Sequence, residues 1–188
     1  MARLGKKPIA VPDKVQVEIK DGRVLVRGEK GKLEHEIFDR LTVTLENNQI
    51  TIANQVSEKQ KKDYRRNDAL HGLMRTLVLN MLRGVKDGFE KILEIHGTGY
   101  KSEVKGKQLT LTVGFTHPVT MDIPEGIALE VLKNTIIYVR GINKELVGNF
   151  AAKIRAVFPP ESYKGTGIRY RGEYVRQKVG KAAAGVTK

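Results

Sequence analysis

The sequence contains no cysteine and no long apolar run, and both absences exclude classes of protein. Without thiols the chain can form neither disulfide bonds nor thiolate zinc sites, and it cannot carry out thiol catalysis. The longest stretch without a charged side chain, Gln108 to Met121, is too short for a membrane-spanning helix, which needs about 20 apolar residues. The first eight residues lack the apolar core of a signal peptide. We therefore expect a soluble, cytoplasmic protein that has no membrane partner.

Acidic residues are scarce relative to basic ones. The 188 residues include 34 lysines and arginines against 21 aspartates and glutamates, which gives a formal net charge of +13. The excess is uneven, because residues 159–188 carry seven basic and two acidic side chains, and residues 1–14 carry four and one. Such an excess predicts a polyanionic partner, with nucleic acid as the first candidate.

Alternating apolar residues predict β-hairpins in the first half of the chain. Two pairs of alternating segments surround Asp21-Gly22 and Asn47-Asn48, which are typical turn dipeptides because these residues tolerate positive φ. From about Tyr64 the apolar period changes to three or four residues, which predicts a helix that ends near Val85. Its predicted apolar face consists of Leu70, Leu73, Met74, Leu77, Met81 and Val85.

The second half repeats this order of strands followed by a helix. Strand-like segments occupy residues 92–139, and residues 143–158 form a predicted helix that Pro159-Pro160 ends. The apolar face of this helix is predicted from Leu146, Val147, Phe150, Ile154 and Phe158. We predict an α+β fold of two similar domains, residues 1–86 and 87–188. Each is an antiparallel or mixed β-sheet packed with one α-helix, and a basic C-terminal segment completes the chain.

Short matches between the two halves favour an internal duplication. Pro12-Asp13-Lys14-Val15 aligns with Pro124-Glu125-Gly126-Ile127 at a separation of 112 residues. Val26-Arg27-Gly28 aligns with Val139-Arg140-Gly141 at a separation of 113 residues. Matches this short also arise by chance, so the repeated order of elements carries more of the argument.

Residues 159–180 have the composition of a surface that binds RNA. Basic side chains neutralise phosphates, tyrosine rings stack on exposed bases, and glycines allow the backbone to approach closely. Composition alone leaves a second interpretation open, in which these residues form a solvated basic strand and tail.

The order of residues is more specific than the composition. The run Tyr163-Lys164-Gly165-Thr166-Gly167-Ile168-Arg169-Tyr170, with Gly172-Glu173 and Val175-Arg176, resembles the C-terminal signature of bacterial large-subunit ribosomal protein six. Further matches follow the family's order along nearly the whole chain: Gly5-Lys6-Lys7-Pro8-Ile9, Ala69-Leu70-His71-Gly72 with Arg75, Gly97-Thr98-Gly99-Tyr100-Lys101 and His117-Pro118-Val119.

The resemblance implies a structural constituent of the large ribosomal subunit that binds 23S-type ribosomal RNA. It further implies a place near the stalk base and the factor-binding region, beside neighbouring ribosomal proteins, with no catalysis, cofactor, metal or small-molecule substrate. By position, the implied RNA-binding residues are Lys164, Arg169, Arg171, Arg176, Lys178, Tyr163, Tyr170, Gly165, Gly167, Arg3, Lys6 and Lys7. Phe158, Ser162 and Thr166 depart from the family's usual residues, so two cationic contacts are expected to be missing.

Other kinds of site are poorly supported by the sequence. The glycine pairs around Thr98 and Thr166 lack the Gly-Lys-Ser/Thr ending of a phosphate-binding loop. The four histidines show no zinc-type spacing, and no nucleophile, base and orienting group occur together. The remaining rival is a sequence-independent, architectural DNA-binding protein, because net charge does not distinguish the two nucleic acids.

Overall fold

The computed structural model describes residues 5, 7–56 and 61–181. The first half contains six strands and one helix: β1 (Ile9–Ala10), β2 (Gln16–Lys20), β3 (Arg23–Gly28), β4 (Gly31–Glu36), β5 (Leu41–Glu46), β6 (Gln49–Asn54) and α1 (Lys61–Lys86). The second half contains β7 (Phe89–His96), β8 (Lys101–Lys105), β9 (Gln108–Thr112), β10 (Val119–Asp122), β11 (Ile127–Leu132), β12 (Ile136–Gly141), α2 (Lys144–Val157) and β13 (Gly167–Tyr170).

The chain divides into two compact units. One consists of residues 1–88 with 142–144, and the other of residues 89–141 with 145–188. The first contains two antiparallel sheets of strand order β2-β3-β4 and β1-β6-β5, and the second contains sheets of order β10-β9-β8 and β11-β12-β7-β13. Each unit has its own apolar core, formed by the inward faces of the sheets and by one helix. The α+β class is therefore confirmed.

The two units repeat one topology. The sheet β2-β3-β4 corresponds to β8-β9-β10, and β1-β6-β5 corresponds to β7-β12-β11, to which the second unit adds β13. Equivalent strands such as β3 and β9 are 85 residues apart at their first residues, Arg23 and Gln108. The repeated topology supports the predicted duplication. The predicted alignment, with matched segments 112 and 113 residues apart, is wrong because it equates β3 with β12.

That error has a physical cause. β3 and β12 both lie inside their sheets, and each carries a valine with no exposed surface, Val26 and Val139, one residue before an exposed arginine. Interior strands that pack one face against a core need alternating β-branched residues wherever they occur. The shared Val-Arg-Gly pattern therefore reflects a similar environment and not an equivalent position.

The hairpin turns form as predicted. Asp21 and Gly22 have φ of 50° and 69°, and Asn47 and Asn48 have φ of 48° and 62°. The strand registers continue directly from these turns, with Lys20 opposite Arg23 and Glu46 opposite Gln49.

The helices bury faces slightly rotated from the predicted ones. In α1, Leu73 is 47% exposed while Val78 and Leu82 are buried, and in α2 Leu146 is 40% exposed while Ala151 is buried. Each helix has more apolar residues than one face can bury, so contact with the sheet decides which of them become core.

Candidate nucleic-acid interface

The basic segment, residues 159–181, turns back onto the second unit as soon as α2 ends. The amide of Ile168 donates to the carbonyl of Phe158 at 2.8 Å. A Cβ at Gly167 would lie 2.7 Å from both the Pro159 oxygen and the Pro160 Cα, and its φ is 138°. The close approach and the positive φ both require glycine at position 167, because a side chain there would collide with the backbone of Pro159 and Pro160.

Strand β13 fixes the middle of the basic segment. It pairs antiparallel with β7, with Ile168 opposite Ile95 and Arg169 opposite Glu94. Ile168 has no exposed surface and belongs to the core of the second unit. The strand ends at Tyr170 and is followed by a turn, so most of the basic segment lies outside regular secondary structure.

Arg169 and Arg171 contact groups on the neighbouring strand. Arg171 donates from Nε to Oε1 of Glu94 at 2.9 Å, and Nη2 of Arg169 lies 3.4 Å from Nδ1 of His96. The hydrogen bond from Arg171 is the main cause that lowers the pKa of Glu94 below its ordinary value. The charge of Arg171 is therefore partly offset, although its side chain remains half exposed.

A second ion pair holds the segment just after β13. Glu173 accepts from Nε of Arg155 at 3.0 Å, from Nη2 of the same residue, and from the amide of Tyr170 at 3.0 Å. The Tyr170 ring lies near two cations, with the Lys91 Nζ at 5.7 Å and the Arg155 guanidinium carbon at 5.9 Å from its centre. The pairing lowers the pKa of Glu173 and raises that of Arg155.

Several cations of the segment have no acidic partner among the described residues, and three of them lie on backbone segments that are close together. Lys164, Arg176 and Lys178 are exposed, and no ion pair or side-chain hydrogen bond engages them. The amide of Lys178 donates to the Ser162 carbonyl at 2.8 Å. A Cβ at Gly165 would lie 2.9 Å from Nε2 of Gln177. Residues 176–178 thus lie against the turn at 162–165, which brings the backbone of the three exposed cations close together.

The sheet β2-β3-β4 offers a contrast. Three exposed cations in or next to this sheet face acids, with Arg23 2.8 Å from Glu36, Lys20 2.8 Å from Glu18 and Lys14 2.9 Å from Glu29. Exposed pairs of this kind stabilise a fold little, but they cancel charge locally. The charges of Lys14, Lys20 and Arg23 are therefore offset locally, unlike those of Lys164, Arg176 and Lys178.

The remaining predicted residues fall into several environments. Tyr163 is 59% exposed, Tyr170 is half-buried, and Gly165 and Gly167 are buried. Arg3 and Lys6 lie outside the described residues. Lys7 is exposed, and its carbonyl accepts a hydrogen bond from Nε of Arg75 at 2.9 Å.

Sequence reasoning missed the residues that hold the segment in place. The family resemblance assigns no RNA contact to Arg155, Glu173 or Glu94. Their hydrogen bonds nevertheless hold the basic segment on the second unit. One available signal was that Glu173 is an acid within a run of basic residues. No signal in the sequence identified its partner, since Arg155 is 18 residues away on α2.

The described part of the chain contains no group of three or more histidine, aspartate or glutamate side chains placed to bind a metal. Within the same residues, no helix is long and apolar enough to cross a membrane.

Replacing Glu173 with glutamine is expected to loosen the basic segment. A hydrogen bond to a charged group contributes about 1.5–3 kcal/mol, so trypsin should cleave after Arg176 roughly ten times faster in the full-length variant. Because the folded-state pKa of Glu173 is lowered, its contribution is complete above the ordinary value of 4.5 and is lost as pH falls through the lower folded value. The protection factor of the Tyr170 amide, which corrects its exchange rate for the intrinsic pH dependence, should therefore fall below pH 4.5.

The control for this variant is Glu103→Gln, which removes a carboxylate that faces Lys105 in β8. Its cleavage rate after Arg176 should equal that of the wild type. Equal rates for both variants would mean that the Arg155–Glu173 pair does not hold the segment.

Comparison with known proteins identifies the same family twice along the chain. The family model described as "Ribosomal protein L6" matches residues 11–88 and 96–171. The chain is 54% identical over 183 residues to "Large ribosomal subunit protein uL6" of Dictyoglomus thermophilum, covering 97% of this chain and 98% of the relative. The proteins of the same name from Picosynechococcus sp. and Syntrophomonas wolfei are 50% and 48% identical, with the same coverage. These matches confirm the resemblance seen in the sequence.

Proposed function

Since the chain belongs to the ribosomal protein L6 family of the large ribosomal subunit, we propose that it binds large-subunit ribosomal RNA through its basic segment. The observation that carries this proposal is the cluster of Lys164, Arg176 and Lys178, three exposed cations without an acidic partner in the described chain. Cations left free in the folded protein neutralise phosphates without first breaking an internal ion pair.

The proposed contacts divide by chemistry. Lys164, Arg176 and Lys178 neutralise phosphates, and Arg171 and Arg169 add their remaining N–H donors from the edge of β13. Tyr163 is exposed and free to stack on a base, whereas Tyr170 is held near Lys91 and Arg155 and acts as a positioning residue. Gly165 and Gly167 keep the turn compact, and Arg3, Lys6 and Lys7 form a secondary set of contacts.

The finer placement rests on the family resemblance. We propose that the protein lies near the stalk base and the factor-binding region of cytoplasmic ribosomes, beside neighbouring ribosomal proteins. It acts there without turnover, by offsetting phosphate repulsion and fitting the shape of the folded RNA. We also keep residues 1–86 and 87–188 as the proposed folding domains.

A filter-binding competition tests the proposal against DNA binding. Protein-free 23S-type ribosomal RNA is bound first, and duplex DNA is added at fixed salt, with both concentrations expressed as phosphate. We expect at least a tenfold excess of DNA phosphate to be needed for half displacement, because the RNA offers folded shape and unpaired bases in addition to charge. Half displacement at equal phosphate would instead support a sequence-independent DNA-binding protein.

A further inference from the structure

Phe115 is an exposed aromatic side chain that the basic segment does not include. It lies in the loop between β9 and β10, directly after Gly114, and is 48% exposed. Single exposed apolar residues are common and need no function. Phe115 differs because its ring is held in place by a specific set of packed neighbours.

One aromatic contact supports the Phe115 ring directly, and a second supports the ring that Phe115 touches. Phe115 lies edge-to-face with Phe158, with ring centres 5.6 Å apart, and Phe158 makes a second edge-to-face contact with Tyr100 at 5.6 Å. The other exposed aromatic residues of the described chain, Tyr163 and Tyr174, make no such ring contact. A ring already fixed in this way loses little conformational entropy when a ligand stacks on it.

Tyr100 joins the two loops at this end of the second unit. A Cβ at Gly97 would lie 2.3 Å from the Tyr100 ring, and a Cβ at Gly114 would lie 2.6 Å from its hydroxyl. The loops that follow β7 and β9 are therefore packed on opposite parts of one ring. This close packing explains why residues 97 and 114 are glycines. It also constrains the position of Phe115, which directly follows Gly114.

The electrostatic surroundings favour a polyanion. Residues 97–101 and 113–118 contain no acidic side chain, and Lys101 and His117 are exposed there. The basic segment starts beside Phe158, so Lys164 is six residues from the residue that supports Phe115. Six residues span at most about 21 Å, which places a phosphate-binding lysine within reach of the same RNA.

We propose that Phe115 is a stacking platform for an unpaired nucleobase of RNA. The proposal deepens the proposed function and rests on it, because the base belongs to the RNA that the basic segment binds. Stacking uses the ring face, which every base can match, whereas phosphate contacts alone distinguish no unpaired base. Stacking on Phe115 would thereby let the protein recognise an unpaired base, whereas the basic segment contacts mainly phosphates.

Filter binding of full-length variants to protein-free 23S-type ribosomal RNA at fixed salt provides the first test. Phe115→Leu keeps an apolar side chain but removes the ring, and it should weaken binding by roughly five- to a hundredfold. Phe115→Trp should bind as tightly as the wild type. The control is Leu132→Ala, which removes a side chain that is 44% exposed elsewhere on the same unit and should bind normally.

Fluorescence provides a readout that a purely structural role would not change. The sequence contains no tryptophan, so Phe115→Trp introduces a single fluorophore. Its emission should be quenched when the RNA saturates the protein, while that of Leu132→Trp should remain unchanged.

Two results would overturn the proposal. If Phe115→Leu binds within twofold of the wild type and Phe115→Trp is not quenched, the ring contacts no base and a protein neighbour becomes the better explanation for its exposure. If the wild type itself fails to bind the RNA, the proposed function fails and the stacking proposal fails with it.

Discussion

Reversal of Lys164, Arg176 and Lys178 to glutamate is expected to reduce affinity for large-subunit ribosomal RNA by at least about a hundredfold near 0.1 M salt. Each phosphate contact contributes a slope of roughly −0.7 to −0.9 to the dependence of log K on log salt. Loss of three contacts should therefore make the slope shallower by about 2. Filter binding across a salt series measures both quantities on the same samples.

A charge-matched variant separates local contact from general attraction. Lys14, Lys20 and Arg23 are three exposed cations of the first unit that face Glu29, Glu18 and Glu36. Their reversal to glutamate changes the net charge by the same amount but should reduce affinity far less and leave the salt slope nearly unchanged. Equal losses in the two triple variants would show that net charge, and not the basic segment, determines binding.

Replacing Ile168 with alanine is expected to destabilise the second unit by about 2–5 kcal/mol. Ile168 has no exposed surface, and β13 is the strand that ties the basic segment to the core of that unit. Removal of three buried carbons costs both the transfer free energy and the cavity that remains. Hydrogen exchange of the full-length protein, followed by mass spectrometry, should show faster exchange throughout residues 87–188.

The matched variant in the first unit is Ile50→Ala. Ile50 has no exposed surface and lies in β6, so the expected loss is similar, but it should affect residues 1–86. This pair also tests the proposed domain boundaries. Faster exchange across the entire chain in either variant would mean that the two units unfold as one and that the division at residue 86 does not describe folding.

Local sequence patterns predicted most of the elements because their causes are local. Asp21-Gly22 and Asn47-Asn48 adopt positive φ through their own preferences, and Pro159-Pro160 end α2 because proline cannot continue a helix. The helix faces were predicted less accurately. Leu73 and Leu146 fit the helical period as well as their buried neighbours, and only contact with the sheet exposed them.

The candidate interface could be predicted in composition but not in arrangement. The family resemblance predicts Lys164, Arg176 and Lys178 as RNA-binding residues. The proximity of their backbone segments depends on the hydrogen bond from the Lys178 amide to the Ser162 carbonyl and on the close approach of Gln177 to Gly165. Equally, nothing in the sequence joined Phe115 to Phe158, which is 43 residues further along the chain.

The sequence by itself determined the α+β class, the family and the uneven distribution of positive charge, since these depend on residue type, spacing and order. Only the tertiary structure decided which of the cations are free. Arg155 is paired because α2 places it beside Glu173, and Arg171 is paired because β7 places Glu94 beside it, whereas the fold brings no acid of the described chain to Lys164. Ion pairs form between residues distant in the sequence, so a count of charges cannot distinguish a cation that is paired within the fold from one that is left without an acidic partner.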